Sequence, residues 1–135
     1  MASVGEIAWH IGDGRVDWFN RMGAPGAAEL YRRIEERNGR LMASAAIVDW
    51  LETTWQLVET TLAAWTVEDL SVSYKQPYKG VTYAVSRQWT IFRILAHDIH
   101  HGGQLSELLA MQGILPTDLT LLGGHVTEPP VSEPD

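Results

Sequence analysis

Between Val48 and Trp65 the apolar residues Val48, Leu51, Trp55, Val58, Leu62 and Trp65 are spaced alternately by three and four. That spacing gathers all six on one stripe of an α-helix, with Glu52, Thr53, Gln56 and Glu59 between them. Such a helix is stable only when other elements cover its stripe, so this segment commits the chain to a helical bundle. The expected helix runs from about Met42 to Ala64.

The flanking segments fit an all-α domain. Ser3-Val4-Gly5-Glu6 has the pattern of a capping box, in which Ser3 accepts a backbone N–H and Glu6 reaches back. Behind it Ile7, Ile11, Trp18 and Met22 predict a helix from about Val4 to Met22. Gly12 and Gly14 weaken that helix by about 1 kcal/mol each against alanine, a cost that close packing of a neighbour would explain. After the break Gly23-Ala24-Pro25-Gly26, residues Ala27 to Arg37 predict a short polar helix ended by Asn38-Gly39. Thr66 to Ser86 reads as a short hairpin or an extended loop, with Lys75 to Gly80 as its turn. Ser86 is an N-cap for a last helix, about Arg87 to Gln112, with Phe92, Leu95, Ile99, Leu105, Leu108 and Leu109 on its apolar side. Gly113 and Pro116 are its stop signature, and one more turn is expected over Thr117 to Leu122. Residues 1–126 therefore read as one domain, and 127–135 as a disordered, acidic, proline-rich tail.

Composition narrows the function classes. Seventeen acidic against ten basic residues give a net charge of -7 with no basic stripe, which disfavours nucleic acid as a partner. The absence of cysteine excludes disulfides, a cysteine nucleophile and thiolate metal sites, and fits a reducing compartment. No apolar run reaches the roughly 18 residues of a membrane span, and the first residues lack a signal-peptide pattern. The expectation is a cytoplasmic protein without a membrane partner.

Five histidines are present, at 10, 97, 100, 101 and 125. His97 and His101 stand four apart on the last helix, so both rings leave one face, close enough to share a metal ion. His100, three residues from His97, is the rival partner. A third ligand would have to come from another helix, and His10 is the only other histidine placed inside one. The fourth position would then remain for water or substrate, as in a catalytic metal site. Such a pair also arises by chance, and a lone His10 is more often a half-buried surface residue. Asp13 or Asp17 could orient a ligand histidine, or simply form a solvated acidic face. Gly102-Gly103 would serve either close helix packing or clearance beside a metal. Tyr74, Tyr78, Tyr83 and Arg87 lie in or beside the hairpin region and are candidates to bind a small-molecule substrate, against the alternative of loop packing. The six tryptophans are expected in the core or at its edge. A phosphate-binding loop is not present, because Gly12-Asp13-Gly14 lacks the further glycine and lysine.

The segment Ile94-Leu95-Ala96-His97-Asp98-Ile99-His100-His101-Gly102-Gly103-Gln104-Leu105-Ser106 resembles the last-helix motif of the DinB-like superfamily. Glu6-Ile7-Ala8-Trp9-His10-Ile11 with Asp17-Trp18-Phe19 resembles the family's first-histidine helix. The likeness covers most of Ser3 to Gly113. The family also includes bacillithiol transferases and the metal-binding domain of mycothiol-dependent maleylpyruvate isomerases. The resemblance implies a four-helix bundle holding a divalent metal, often zinc or nickel, through His10, His97 and His101, with His100 not a ligand. It further implies a thiol S-transferase or isomerase using a low-molecular-weight thiol. The alternatives are a non-catalytic, stress-related metal-binding protein, a hydrolase using activated water, or a metal-free interaction module.

One departure stands out: family members carry a long helix before the first histidine, and His10 comes too early for it. Either Ala27 to Arg37 substitutes, or a partner chain completes the bundle, or the sequence is shortened. A homodimer, or another small oligomer, is the expected assembly, with Leu62, Trp65 and the Trp50 side of the third helix at its contact.

Overall fold

The computed structural model describes residues 2–115. In chain order they form α1 (Val4–Arg21), α2 (Ala27–Arg37), α3 (Ser44–Ala64), the single turn α4 (Val67–Leu70), strands β1 (Ser73–Tyr78) and β2 (Val81–Ser86), and α5 (Arg87–Ala110). The chain is mostly helical, but the expected all-α four-helix bundle needs correction. Three long helices, two short ones and a β-hairpin take its place among the described residues.

Capping sets the helix starts. Ser3 Oγ accepts from Glu6 N at 3.2 Å, and Glu6 Oε2 accepts from Ser3 N at 2.7 Å. A second capping box, Thr66 with Asp69, starts α4, which periodicity alone did not reveal. Ser86 Oγ accepts from Trp89 N at 3.2 Å and opens α5, and Gly113, at φ +78°, closes it. The hairpin alternative holds for residues 73–86, but its turn is only Lys79-Gly80. Both residues have positive φ, at 46° and 80°, as a two-residue type I′ connection requires.

Helix α1 is the centre of the fold and packs against α2, α3 and α5. It buries Ile7, Ala8, Ile11, Gly12, Val16 and Phe19. A Cβ on Gly12 would meet the Trp50 indole at 2.7 Å, so this glycine does admit a close neighbour. The main core gathers Val16, Phe19 and Met22 of the α1 end with Ala27, Trp50, Leu57, Val58 and Ile94.

The packing face of α3 also differs from the expectation. Ile47, Trp50, Thr54, Leu57, Val58 and Thr61 are buried, while Val48, Trp55 and Leu62 are 65 %, 49 % and 39 % exposed. The real face is turned by about one residue from the stripe read off the spacing. Thr54 explains part of this: its hydroxyl donates to the Leu51 carbonyl at 3.1 Å, so a residue counted as polar can be buried at little cost. The contact expected at Trp50 and Trp65 changes accordingly. Trp50 is in the core, and Trp65 stacks on Phe19 under the Arg87 guanidinium. Of the tryptophans, Trp50 lies in the core and Trp9, Trp18 and Trp65 pack at its edge, as expected for most of them, while Trp55 and Trp89 are each 49 % exposed.

No helix among the described residues is long and apolar enough to cross a membrane. Pro116, the expected turn at 117–122, His125 and the tail 127–135 lie outside the described residues.

Candidate metal centre

Helices α1 and α5 run antiparallel, since His10 faces His101, Gly14 faces His97 and Trp18 faces Trp89. This pairing brings His10, His97 and His101 together. Each can offer a ring nitrogen, and the three nitrogens lie within 4.8 Å of one another. His97 Nε2 is 3.2 Å from His10 Nε2. Nitrogens bound to one tetrahedral zinc at about 2.1 Å stand about 3.4 Å apart, so the cluster needs only small ring adjustments to close on an ion.

The surroundings prepare the rings as ligands. Burial, and then the neighbouring His101, hold the His10 imidazole below its ordinary pKa, against an opposing pull from Asp13. Burial likewise lowers His97, while its hydrogen bond to Asp98 acts the other way. Both lowered values favour the neutral imidazole that a metal requires. His97 Nδ1 lies 3.4 Å from Asp98 Oδ1, and His101 Nδ1 lies 2.7 Å from Gln104 Oε1. With Nδ1 facing these oxygens in each ring, Nε2 is left as the lone-pair nitrogen.

Asp98 is itself anchored. Arg15 Nε donates to Asp98 Oδ2 at 2.7 Å, and the same guanidinium reaches the Leu51 carbonyl at 3.3 Å and Thr54 Oγ1 at 3.4 Å. The Arg15 and Asp98 side chains are only 14 % and 19 % exposed. Sequence reasoning looked to Asp13 and Asp17 for this orienting role. Asp13 instead accepts from Arg37 and from Trp50 Nε1, and Asp17 accepts from Arg21 at 3.1 Å. The signal for Asp98 lay in its position beside His97 and in a mid-helix arginine at 15 that needed a partner.

Gly14 has a defined purpose: a Cβ there would lie 2.7 Å from His97 Cε1. Gly102 and Gly103 face open space, with nothing within 4 Å of a built Cβ. His100 is exposed and its ring lies 4.9 Å from that of His101, but it is not one of the three histidines whose nitrogens converge.

Two depressions flank the histidines. One, of about 490 Å³, is bordered by Glu6, His10, His101 and Gln104. The other, of about 790 Å³, lies between α1, α5 and the hairpin and is lined by Trp18, Arg21, Tyr78, Tyr83, Trp89 and Arg93 among others. The structure thus places Tyr78 and Tyr83 on a cavity wall. Tyr74 and Arg87 are elsewhere. The Tyr74 hydroxyl is 2.6 Å from Thr90 Oγ1, and burial raises its pKa. Arg87 donates to the Met22 and Asp69 carbonyls and ties the start of α5 to the end of α1. Along α5, Trp89, Arg93, His97 and His101 recur every four residues, so the large cavity and the histidines share one helix face.

A model of the DinB superfamily matches residues 1–105. No curated protein and no solved structure matches the chain.

Proposed function

Because the chain belongs to the DinB superfamily, we propose that it holds one divalent ion, zinc or nickel, through His10, His97 and His101. We propose further that it uses this centre to transfer a low-molecular-weight thiol to an electrophile. The observation that carries the metal reading is the convergence of three imidazoles from two helices within 4.8 Å. A bound divalent cation favours the deprotonated form of a thiol beside it.

The chain's own residues do the remaining work. Asp98 and Gln104 fix the ring orientations of His97 and His101, and Arg15 holds Asp98. Tyr78, Tyr83, Trp18 and Trp89 offer apolar walls on which the electrophile is positioned. In the reaction the sulfur attacks the electrophilic carbon, the C–S bond forms, and the leaving group departs with its bonding pair. The thiol proton goes to solvent. The chain has no cysteine, so the nucleophilic sulfur comes from outside. Tyr74 and Arg87, with their polar atoms engaged in the scaffold, act in this reading by holding the cavity's shape. A homodimer and a cytoplasmic location belong to the same reading.

The test begins with the metal content of protein purified without a histidine tag. His97→Ala and His101→Ala should each remove most of the metal, and His100→Ala should keep it. Loss in His100→Ala with retention in His101→Ala would show the wrong face of α5 to be the ligand face. The metal-loaded protein is then offered a panel of thiols with chlorodinitrobenzene. A rate no higher than that of the triple-histidine variant, with every thiol, would favour metal binding without transfer.

A further inference from the structure

The cavity between α1, α5 and the hairpin runs against the charge of the whole chain. The protein carries a net charge of -7, yet the residues lining this cavity include two arginines and no carboxylate. The two arginines differ. Arg21 is held by Asp17 at 3.1 Å and donates to Gln76 Oε1 at 3.0 Å. Arg93 has no ion pair, side-chain hydrogen bond or aromatic partner among the described residues. The other seven arginines each meet a carboxylate, a carbonyl or an aromatic ring. A guanidinium with no partner among the described residues, on the wall of an aromatic cavity, is a ready binding group for a planar anion, because its fork donates two parallel hydrogen bonds to a carboxylate.

The aromatic side is equally specific. Trp18 and Trp89 meet edge to face with centroids 6.5 Å apart, and Tyr78 and Tyr83 stand on the hairpin opposite. These rings give flat apolar walls, and a volume of about 790 Å³ admits a ligand larger than one ring. Arg93 lies one turn before His97, about 6 Å along α5.

We infer that this cavity binds a planar aromatic carboxylate, with its ring against Trp18 and Trp89 and its carboxylate on Arg93. The inference names a substrate class for the cavity and so rests on the reading of that cavity as the substrate side of the site.

The test is titration calorimetry with trans-cinnamate and its neutral amide, on the full chain, before and after chelator treatment. Cinnamate should bind about tenfold more tightly than the amide, with or without chelator. Arg93→Gln should weaken cinnamate about five- to tenfold, leave the amide unchanged and leave the metal content unchanged. Trp89→Ala should weaken both ligands. Equal affinity for acid and amide, no detectable binding of cinnamate, or an Arg93→Gln variant that binds like the parent would overturn the inference. Because Arg93 is not a metal ligand, loss of the metal reading with retention of Arg93-dependent binding leaves this assignment standing, and the reverse pattern removes it alone.

Discussion

Gly14→Ala separates the fold from the metal centre, because its two effects have opposite sign. In the middle of α1, alanine is favoured over glycine by about 1 kcal/mol. The added methyl would stand 2.7 Å from His97 Cε1 and 3.3 Å from both ring nitrogens. To reach an ordinary contact of about 3.4 Å the ring must retreat by about 0.7 Å. The imidazole is the end of a side chain with two rotatable bonds, and the 3.4 Å contact of Nδ1 with Asp98 holds it only loosely, so it can swing away and the fold keeps most of the helix gain. A metal site tolerates only about 0.2 Å of ligand displacement. Zinc affinity should therefore fall by about 10- to 100-fold. The urea stability of the metal-free protein should stay level or rise by up to about 1 kcal/mol. Gly12→Ala is the contrast. Its methyl meets the Trp50 indole at 2.7 Å, and that ring is 3 % exposed and bonded to Asp13. It has nowhere to go, so this change should destabilise the protein by about 1–3 kcal/mol. Competition for zinc against a chromophoric chelator, with urea melts of both variants, measures these three quantities. A Gly14→Ala protein that binds zinc within about twofold of the parent would refute the steric argument.

Asp98→Ala should lower stability by about 2 kcal/mol in urea unfolding, since it leaves the partly buried Arg15 without its carboxylate. The double change of Arg15 and Asp98 to leucine should recover most of that loss, and a double variant as weak as the single one would contradict the account. The Glu6 carboxyl is held below its ordinary pKa, first by the Ser3 backbone N–H and then by its hydroxyl. Its contribution is therefore present above the usual carboxylate range and lost as pH falls through the lowered value. Amide exchange in the first turn of α1 should quicken on acidification, and Glu6→Gln should flatten that dependence. Val48, Trp55 and Leu62 on α3 and Phe92, Leu95 and Ile99 on α5 are exposed apolar stripes. Trp55→Glu with Ile99→Glu should convert a homodimer to monomer in sedimentation, and a parent protein already monomeric at micromolar concentration would remove the dimer.

The elements legible in the sequence were those whose signals are local. The Ser3–Glu6 box, Ser86 and Gly113 mark helix ends by backbone chemistry confined to one turn, and α2 spans Ala27–Arg37 as its composition predicts. The juxtaposition of His97 and His101 on α5 was legible because a helix fixes the relation of residues four apart. What was hidden depends on which element packs where. α3 has apolar residues on two lines, and only contact with α1 decides that Trp50 and Leu57 go inward while Trp55 stays out. The roles of Arg15 and Asp98 arise from a contact spanning 83 residues, which no spacing rule reaches. Tyr74 and Tyr78 look alike in sequence and share one face of β1, but Tyr74 lies at the base of the hairpin, where it meets Thr90, and Tyr78 lies at its turn end, on the cavity wall.

Arg15, on α1, touches both α3 and α5 at once. Its guanidinium holds Asp98 beside His97, rests on Leu51 and Thr54 of α3, and lies 5.4 Å from the centre of the exposed Trp55 ring. Anything that covers Trp55 and shifts this guanidinium also shifts the carboxylate that orients a histidine of the triad. Such coupling is reciprocal by thermodynamic necessity: if covering that face tightens the grip on an ion by some factor, the ion strengthens the covering by the same factor. The exposed apolar face and the histidine cluster, on opposite sides of one partly buried ion pair, would then respond to each other's occupancy without sharing a ligand.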